Sequence, residues 1–174
     1  MKIITIFAEK LFAFQYPQET KNEYVRLMDM WNDPEYLVKY AIDNEAYLPI
    51  YLSIEDFVEK IMEDVENLEE TLISHSKGEF QTFDICFQPL HDTEFRHKIL
   101  SLQKKKCKYL RLYAIKIDEN CFVITGGAIK LTRTMQQHPD TNIELVKLEQ
   151  CKSYLQNNNI FDNDSFYELT TERL

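Results

Sequence analysis

The sequence predicts an α+β domain: a small twisted antiparallel sheet, built from an N-terminal strand and a central hairpin, with helices packed on it and one acidic helix inserted. Three observations carry this. Residues Tyr109 to Arg133, YLRLYAIKIDENCFVITGGAIKLTR, are the most β-rich run and hold two of the three glycines side by side. Apolar residues recur at i, i+3, i+4, i+7 in several other segments, the mark of one helical face. Apolar residues make up 44% of the chain, with 11 Phe and 10 Tyr, enough for a real core in one domain of 174 residues.

In chain order, KIITIFA (2–8) is a β-branched run that reads as a strand pairing with the hairpin. LFAFQY (11–16) is too mixed to assign. Pro17 fits the entry of a helix over 18–31, with Tyr24, Leu27, Met28 and Trp31 on one face. Asp33 and Pro34 then suit the cap and first position of a second helix reaching about Asn44. Ser53 and Asp56 resemble a capping box before a long helix over 54–75. Its stripe is Ile54, Phe57, Val58, Ile61, Met62, Val65, Leu68 and Leu72, its other face is dense in Glu and Asp, and Gly78 ends it. FQTFDICF (80–87) fits a strand or an edge segment. Pro89 to Glu94 reads as a loop, and 94–107 as a short basic helix or an irregular connector. Pro139 opens a last helix over 140–156, with Thr141 and Glu144 as a second capping-box pair. A tail over 160–174 carries Phe161, Phe166 and Tyr167 for docking.

The formal charge of −9 is unevenly spread. Residues 1–94 carry a net −13, residues 95–136 a net +8 and residues 137–174 a net −4. Local fields decide what binds where, so the cationic region around the hairpin is the informative one. Cys86, Cys107, Cys121 and Cys151 show no C-x-x-C spacing and read as half-buried thiols of a reducing compartment. Glu9 and Lys10 interrupt the N-terminal apolar run, and no run approaches the roughly 18 apolar residues of a membrane span. A soluble, cytoplasmic protein is expected. No metal-ligand spacing, P-loop, dinucleotide fingerprint or Ser-His-Asp signature is present, so neither metal nor cofactor is expected.

A hairpin turn at Glu119-Asn120 pairs Ile117 with Phe122, Tyr113 with Gly126, Arg111 with Ala128 and Tyr109 with Lys130. Alternation then places Tyr109, Arg111, Tyr113 and Lys130 on one face over a floor of Gly126 and Ala128. Leu110, Leu112, Ala114, Val123, Ile129 and Leu131 fall on the other as core. Two cations and two phenols over a shallow floor suit a phosphodiester and a stacked base, if the strands are exposed there and do not pair with acidic helices instead. A three-residue turn would move Lys130 to the opposite face. Lys104, Lys105, Lys106 and Lys108 precede the hairpin as a run able to track a nucleic-acid backbone, with His97 and His138 flanking the region.

From Leu110 to Leu155 the order of these features resembles the RelE/ParE toxin superfamily, in particular its phage-derived, HigB-like branch. The matching pieces are Arg111-Leu112-Tyr113, CFVITGGAIK (121–130), LTRTMQQHP (131–139) and TNIELVKLEQCKSYL (141–155). The resemblance implies a twisted antiparallel sheet with helices on one side. It also implies metal-independent cleavage of ribosome-bound mRNA, the RNA 2′-hydroxyl attacking the adjacent phosphate, in a toxin paired with an antitoxin protein. Carried over by position, Arg111 would hold the scissile phosphate, Lys130 and Arg133 would stabilise charge or move a proton, and Tyr113 would stack on or orient a base. The chain departs from that family in its acidic segment over 50–80 and its net charge of −9. Those departures imply a second reading: a non-catalytic interaction module on the same scaffold, whose acidic helices bind a basic protein.

Overall fold

The computed structural model describes residues 1–7, 10–77, 83–89, 98–102 and 107–171. The chain runs β1 (Lys2–Phe7), β2 (Leu11–Gln15), α1 (Glu23–Trp31), α2 (Pro34–Asp43), α3 (Ile54–Ser76), a single turn α4 (Phe83–Cys86), β3 (Phe87–Pro89), β4 (Lys98–Leu102), β5 (Leu110–Asp118), β6 (Cys121–Ile129), α5 (Pro139–Asn157) and α6 (Asn163–Thr171). The expected α+β arrangement is present. The six strands form one sheet in the order β1-β2-β6-β5-β4-β3. It is mixed and not purely antiparallel, because β2 joins β6 in parallel while the other pairs are antiparallel; β1, expected to pair with the hairpin, pairs with β2 instead.

Local chemistry sets most helix ends. Asn22, not Pro17, starts α1: its side chain accepts the Val25 N–H at 3.0 Å. Asp33 caps α2 through the Glu35 N–H at 2.9 Å, with Pro34 in the first turn. Ser53 caps α3, accepting the Asp56 N–H at 3.0 Å and donating to the Asp56 carboxylate at 2.7 Å. The expected Thr141–Glu144 box does not form. His138 caps α5 through Nδ1, which accepts the Asp140 N–H at 3.3 Å, and the Thr141 hydroxyl instead donates to Met135 O at 2.6 Å. Segment 98–102 is a strand and not a helix or connector, since the free edge of β5 supplies a pairing partner that local sequence cannot anticipate.

The hairpin turns at Glu119-Asn120, with Asn120 at φ 54°, a left-handed conformation that Asn tolerates. Asp84 braces this turn, accepting the Asn120 N–H at 2.8 Å and pairing with Lys116. Tyr113 faces Gly126 and Arg111 faces Ala128, as the sequence implies. A register shift at Thr125 then pairs Phe122 with Lys116, not Ile117. The extra residue also inverts the alternation, so Val123 faces away from the core face assigned to it.

Both faces of the hairpin are covered. Leu110, Leu112, Ala114, Phe122, Ile124 and Ile129 pack against α1, α2 and α3. Ile115, Ile117, Cys121 and Val123 pack beneath α5 and α6, where Cys151, Leu155 and Phe166 are buried. Tyr113 and Ala128 meet Met135 and Leu148 on that second side. Helices therefore lie on both sides of the sheet, where the family resemblance implies one. The acidic helix α3 is part of the main core through Phe57, Ile61, Val65, Leu68 and Leu72. Met62 of its expected stripe points outward. In the tail, Phe166 is buried as expected, while Phe161 is exposed.

The paired glycines answer to this double coverage. A Cβ on Gly126 would collide with the Glu144 carboxylate of α5, reaching its Cδ at 2.9 Å; a Cβ on Gly127 would lie 2.7 Å from Trp31 Cη2 and 2.8 Å from the Arg111 carbonyl. We expect Gly126→Ala and Gly127→Ala each to cost about 1–3 kcal/mol of stability in urea unfolding. The Gly127 change should cost more, because it meets backbone where Gly126 meets a side chain that can swing. Glu144→Ala in the Gly126→Ala background should recover part of the loss.

Candidate functional site

The expected open cationic face is not open. Arg111 is 6% exposed and Tyr113 is 1% exposed, both on the side covered by α5. The Arg111 guanidinium donates to Leu110 O at 2.6 Å, Cys107 O at 3.0 Å and Lys108 O at 3.3 Å, and burial lowers its pKa. Its donors serve the backbone entering β5, so this arrangement offers no fork to a phosphate. The Tyr113 hydroxyl is buried without a hydrogen-bond partner, and burial raises its pKa. Tyr109 departs from the expected face altogether. It lies before the first paired residue of β5, turns to the opposite side and packs edge-on against Phe57 of α3 at 5.8 Å. Lys108 is exposed, with Nζ 5.2 Å from the Tyr109 ring centre. Lys130 is half-buried and Arg133 exposed. Gly78, His97, Lys104, Lys105 and Lys106 lie outside the described residues.

A carboxylate with no role in the sequence reading organises this corner. Asp64 of α3, 5% exposed, accepts the N–H groups of Lys108 at 2.8 Å, Tyr109 at 2.6 Å and Leu110 at 3.0 Å. The backbone from 107 to 110 is thus held from two sides, its N–H groups by Asp64 and its carbonyls by Arg111. The signal was present: Asp64 sits between Ile61, Val65 and Leu68 on the buried stripe of α3, where a carboxylate needs partners. His75 on the same stripe bonds Thr71 O through Nδ1 at 2.6 Å and stacks on Phe83.

A second polar cluster lies where α1 and α5 approach each other over β6. Glu23, 2% exposed, receives Arg26 Nε at 2.8 Å and Nη2 at 2.9 Å, and Lys147 Nζ at 3.1 Å. Lys147 also pairs with Glu144 Oε1 at 2.9 Å, while Glu144 Oε2 is buried without a partner. Burial raises the Glu144 pKa against the opposing pull of Lys147. Beside it, the Tyr16 hydroxyl donates to Thr125 O at 2.6 Å and lies 3.1 Å from Cys151 Sγ. Burial pushes the Cys151 thiol up to about 12, which marks it as an inert core thiol. A cleft of about 180 Å³ opens beside this cluster, lined by Arg26, Trp31, Tyr36, Tyr40, Glu144 and Lys147 among others.

The outer face of α3 has the opposite character. Glu55, Glu59, Glu63, Glu66 and Glu70 are all exposed and fall within an arc of about 80° at 100° per residue. Among the described residues none of them forms an ion pair. No described helix is long and apolar enough to cross a membrane. Compared with family models, with curated proteins and with solved structures, the chain matches none.

Asp64→Ala strands three N–H groups, two of them buried, and removes the carboxylate whose charge favours the Arg111 guanidinium. It should cost about 3–5 kcal/mol in thermal or urea unfolding, with Asp64→Asn losing less. Glu144 yields a pH test. Its ordinary value is 4.5 and folding raises it, so the folded chain holds a proton that the unfolded chain releases. The stability this contributes is complete below the ordinary value and is lost as pH rises through the folded one. Urea midpoints measured against pH should show that slope, and Glu144→Gln should remove it.

Proposed function

We propose that this chain works by protein contact, as an interaction module whose α3 ridge seats on a basic partner. One observation carries the reading: five exposed glutamates share one face of a helix anchored in the core, and among the described residues none of them forms an ion pair. From Glu55 to Glu70 the ridge spans about 22 Å at 1.5 Å per residue. Met62 and Ile73, 40% and 41% exposed, border it and supply apolar contact beside the charge. A single-sign ridge on a rigid helix speeds encounter with a basic surface and sets its orientation, and it weakens with salt.

A second reading, RelE/HigB-type cleavage of ribosome-bound mRNA, draws on the cations at the corner where β5 begins and β6 ends. Lys108 and Arg133 are exposed there, and the Lys130 N–H bonds Tyr109 O at 2.8 Å. That chemistry requires Arg111 to leave three carbonyls and α5 to lift from the face holding Tyr113.

Growth after induced expression separates the two. The interaction reading expects no arrest, whereas arrest relieved by Arg133→Ala together with Lys130→Ala, in a variant that still folds, would favour RNA cleavage. For the ridge itself, fluorescence anisotropy with a labelled lysine-rich helical peptide should report binding that weakens as salt rises. Glu59→Gln/Glu63→Gln/Glu66→Gln should lower affinity at least about tenfold, a loss of about 1.4 kcal/mol. The control Glu45→Gln/Glu149→Gln/Glu168→Gln changes net charge equally; an equal loss there would overturn the ridge.

A further inference from the structure

We infer that this chain self-associates as a two-fold dimer, in which the outer edges of two β1 strands pair antiparallel about Ile4 and join two sheets into one. The interface lies at the sheet edge, apart from the α3 ridge, and pairing there does not depend on that reading.

Hydrogen-bond parity across the sheet fixes which groups of β1 face outward. In a strand the N–H and C=O of one residue point to the same side, and successive residues alternate. The Phe122 N–H bonds Lys10 O at 2.9 Å, so Lys10, Phe12 and Phe14 turn their backbone groups toward β6. Leu11, Ala13 and Gln15 turn theirs toward β1. Ala13 lies opposite Ile4 and Gln15 opposite Lys2, so Lys2 and Ile4 are the residues bonded to β2. Ile3 and Thr5 therefore direct their N–H and C=O groups away from the sheet. β1 is the terminal strand, and among the described residues nothing bonds those groups.

The same parity makes the edge self-complementary in one register. Met1 O already accepts the Tyr154 hydroxyl at 3.3 Å, and Phe7 O already accepts the Lys10 N–H at 3.0 Å. The register shift between Thr5 and Phe7 ends the regular edge, which leaves Ile3 and Thr5 as its free residues. Setting Ile3 of each copy opposite Thr5 of the other pairs all of their groups and places Ile4 on the two-fold axis. A slip of two residues either way brings Met1 or Phe7 into the ladder, whose carbonyls are taken. A slip of one residue sets outward groups against groups already bonded to β2.

Side chains agree with that register. Ile3 to Ile6 are all β-branched, and the stretch from Ile3 to Thr5 has neither the proline nor the charge that commonly guards a free edge. Ile4 is half-buried but belongs to neither core cluster that borders β1. In the dimer it meets its own copy as a non-hydrogen-bonded pair, at about 4.5 Å between Cα atoms. On the other face Ile3 meets Thr5, a favourable cross-strand pair. Lys2, the one charge in the strand, falls opposite Ile6 of the second copy, so like charges do not meet. A strand of 6 residues is short against the about 20–30 residues a side of a standard interface, so the dimer is reversible and concentration-dependent. Its axis stands normal to the sheet, which puts the two α3 helices on the same side.

Sedimentation velocity of the full chain, over a dilution series from micromolar to millimolar, should show a monomer–dimer equilibrium and nothing larger. Thr5→Pro removes an outward N–H and no bond to β2, at a position where an edge strand tolerates proline. Symmetry deletes two intermolecular bonds at once, so the dissociation constant should rise about tenfold or more. Ile4→Lys should give a monomer, because like charges then meet on the axis. Far-UV circular dichroism and urea midpoints check that both variants fold. Ile4→Cys gives a readout that needs no loss of association: mild oxidation should join two copies through it. Ile3→Cys, which faces Thr5, should stay largely unlinked, and the native cysteines are all buried, so the wild-type chain is the blank. The inference is overturned if the wild-type chain stays monomeric throughout, if it assembles beyond a dimer, if folded Thr5→Pro or Ile4→Lys associates as before, or if Ile3→Cys crosslinks as readily as Ile4→Cys.

Discussion

The carboxylate of Asp64 holds the two halves of this molecule together. A charge at the centre of a helix's apolar stripe is costly unless it is fully bonded. Here it gathers three successive N–H groups at the start of β5, and Arg111 binds the carbonyls of the same turn. Those contacts fix where β5 begins and therefore its register with β6. They also fix the height of α3 above the sheet, and the apolar contacts of Phe57, Val65 and Leu68 follow from it. The same turn sends Tyr109 to the α3 side while Arg111 and Tyr113 remain on the other.

The glycine pair shows the same logic across the thickness of the sheet. Gly126 gives room to Glu144 of α5 and Gly127 gives room to Trp31 of α1, on opposite faces of one strand. Close approach from both sides brings α1 and α5 near each other past the edge of β6. There Glu23, Arg26, Glu144 and Lys147 form a mixed cluster whose charges largely compensate. Compensation makes their burial tolerable, and the unpartnered oxygen of Glu144 is the place where it is incomplete.

Charge segregation along the chain has two structural fates. Some of it is consumed internally: Asp64, Glu23 and Arg111 are buried and bonded, and Asp84 holds the hairpin turn through Lys116 and Asn120. The rest stays outside, above all the five glutamates of α3. A helix firmly embedded by its inner face presents its outer face with little freedom to rearrange, which suits recognition by a complementary surface.

The sequence by itself determined the elements whose signals are local. The stripe and Ser53 cap of α3, the Asp33-Pro34 start of α2, the Glu119-Asn120 turn and the pairing of Tyr113 with Gly126 all follow from periodicity, caps and turn chemistry within a few residues. The tertiary structure decided what depends on partners far along the chain. β4 is a strand because β5 has a free edge, and Val123 changes face because one extra residue enters at Thr125. Arg111 and Tyr113 are core because α5 returns across them. Glu23 and Glu144 meet only because two helices converge on adjacent glycines, although they lie far apart in sequence. Alternation along a strand tells which side chains share a face; whether that face meets water or a helix is set by how the chain folds back over it.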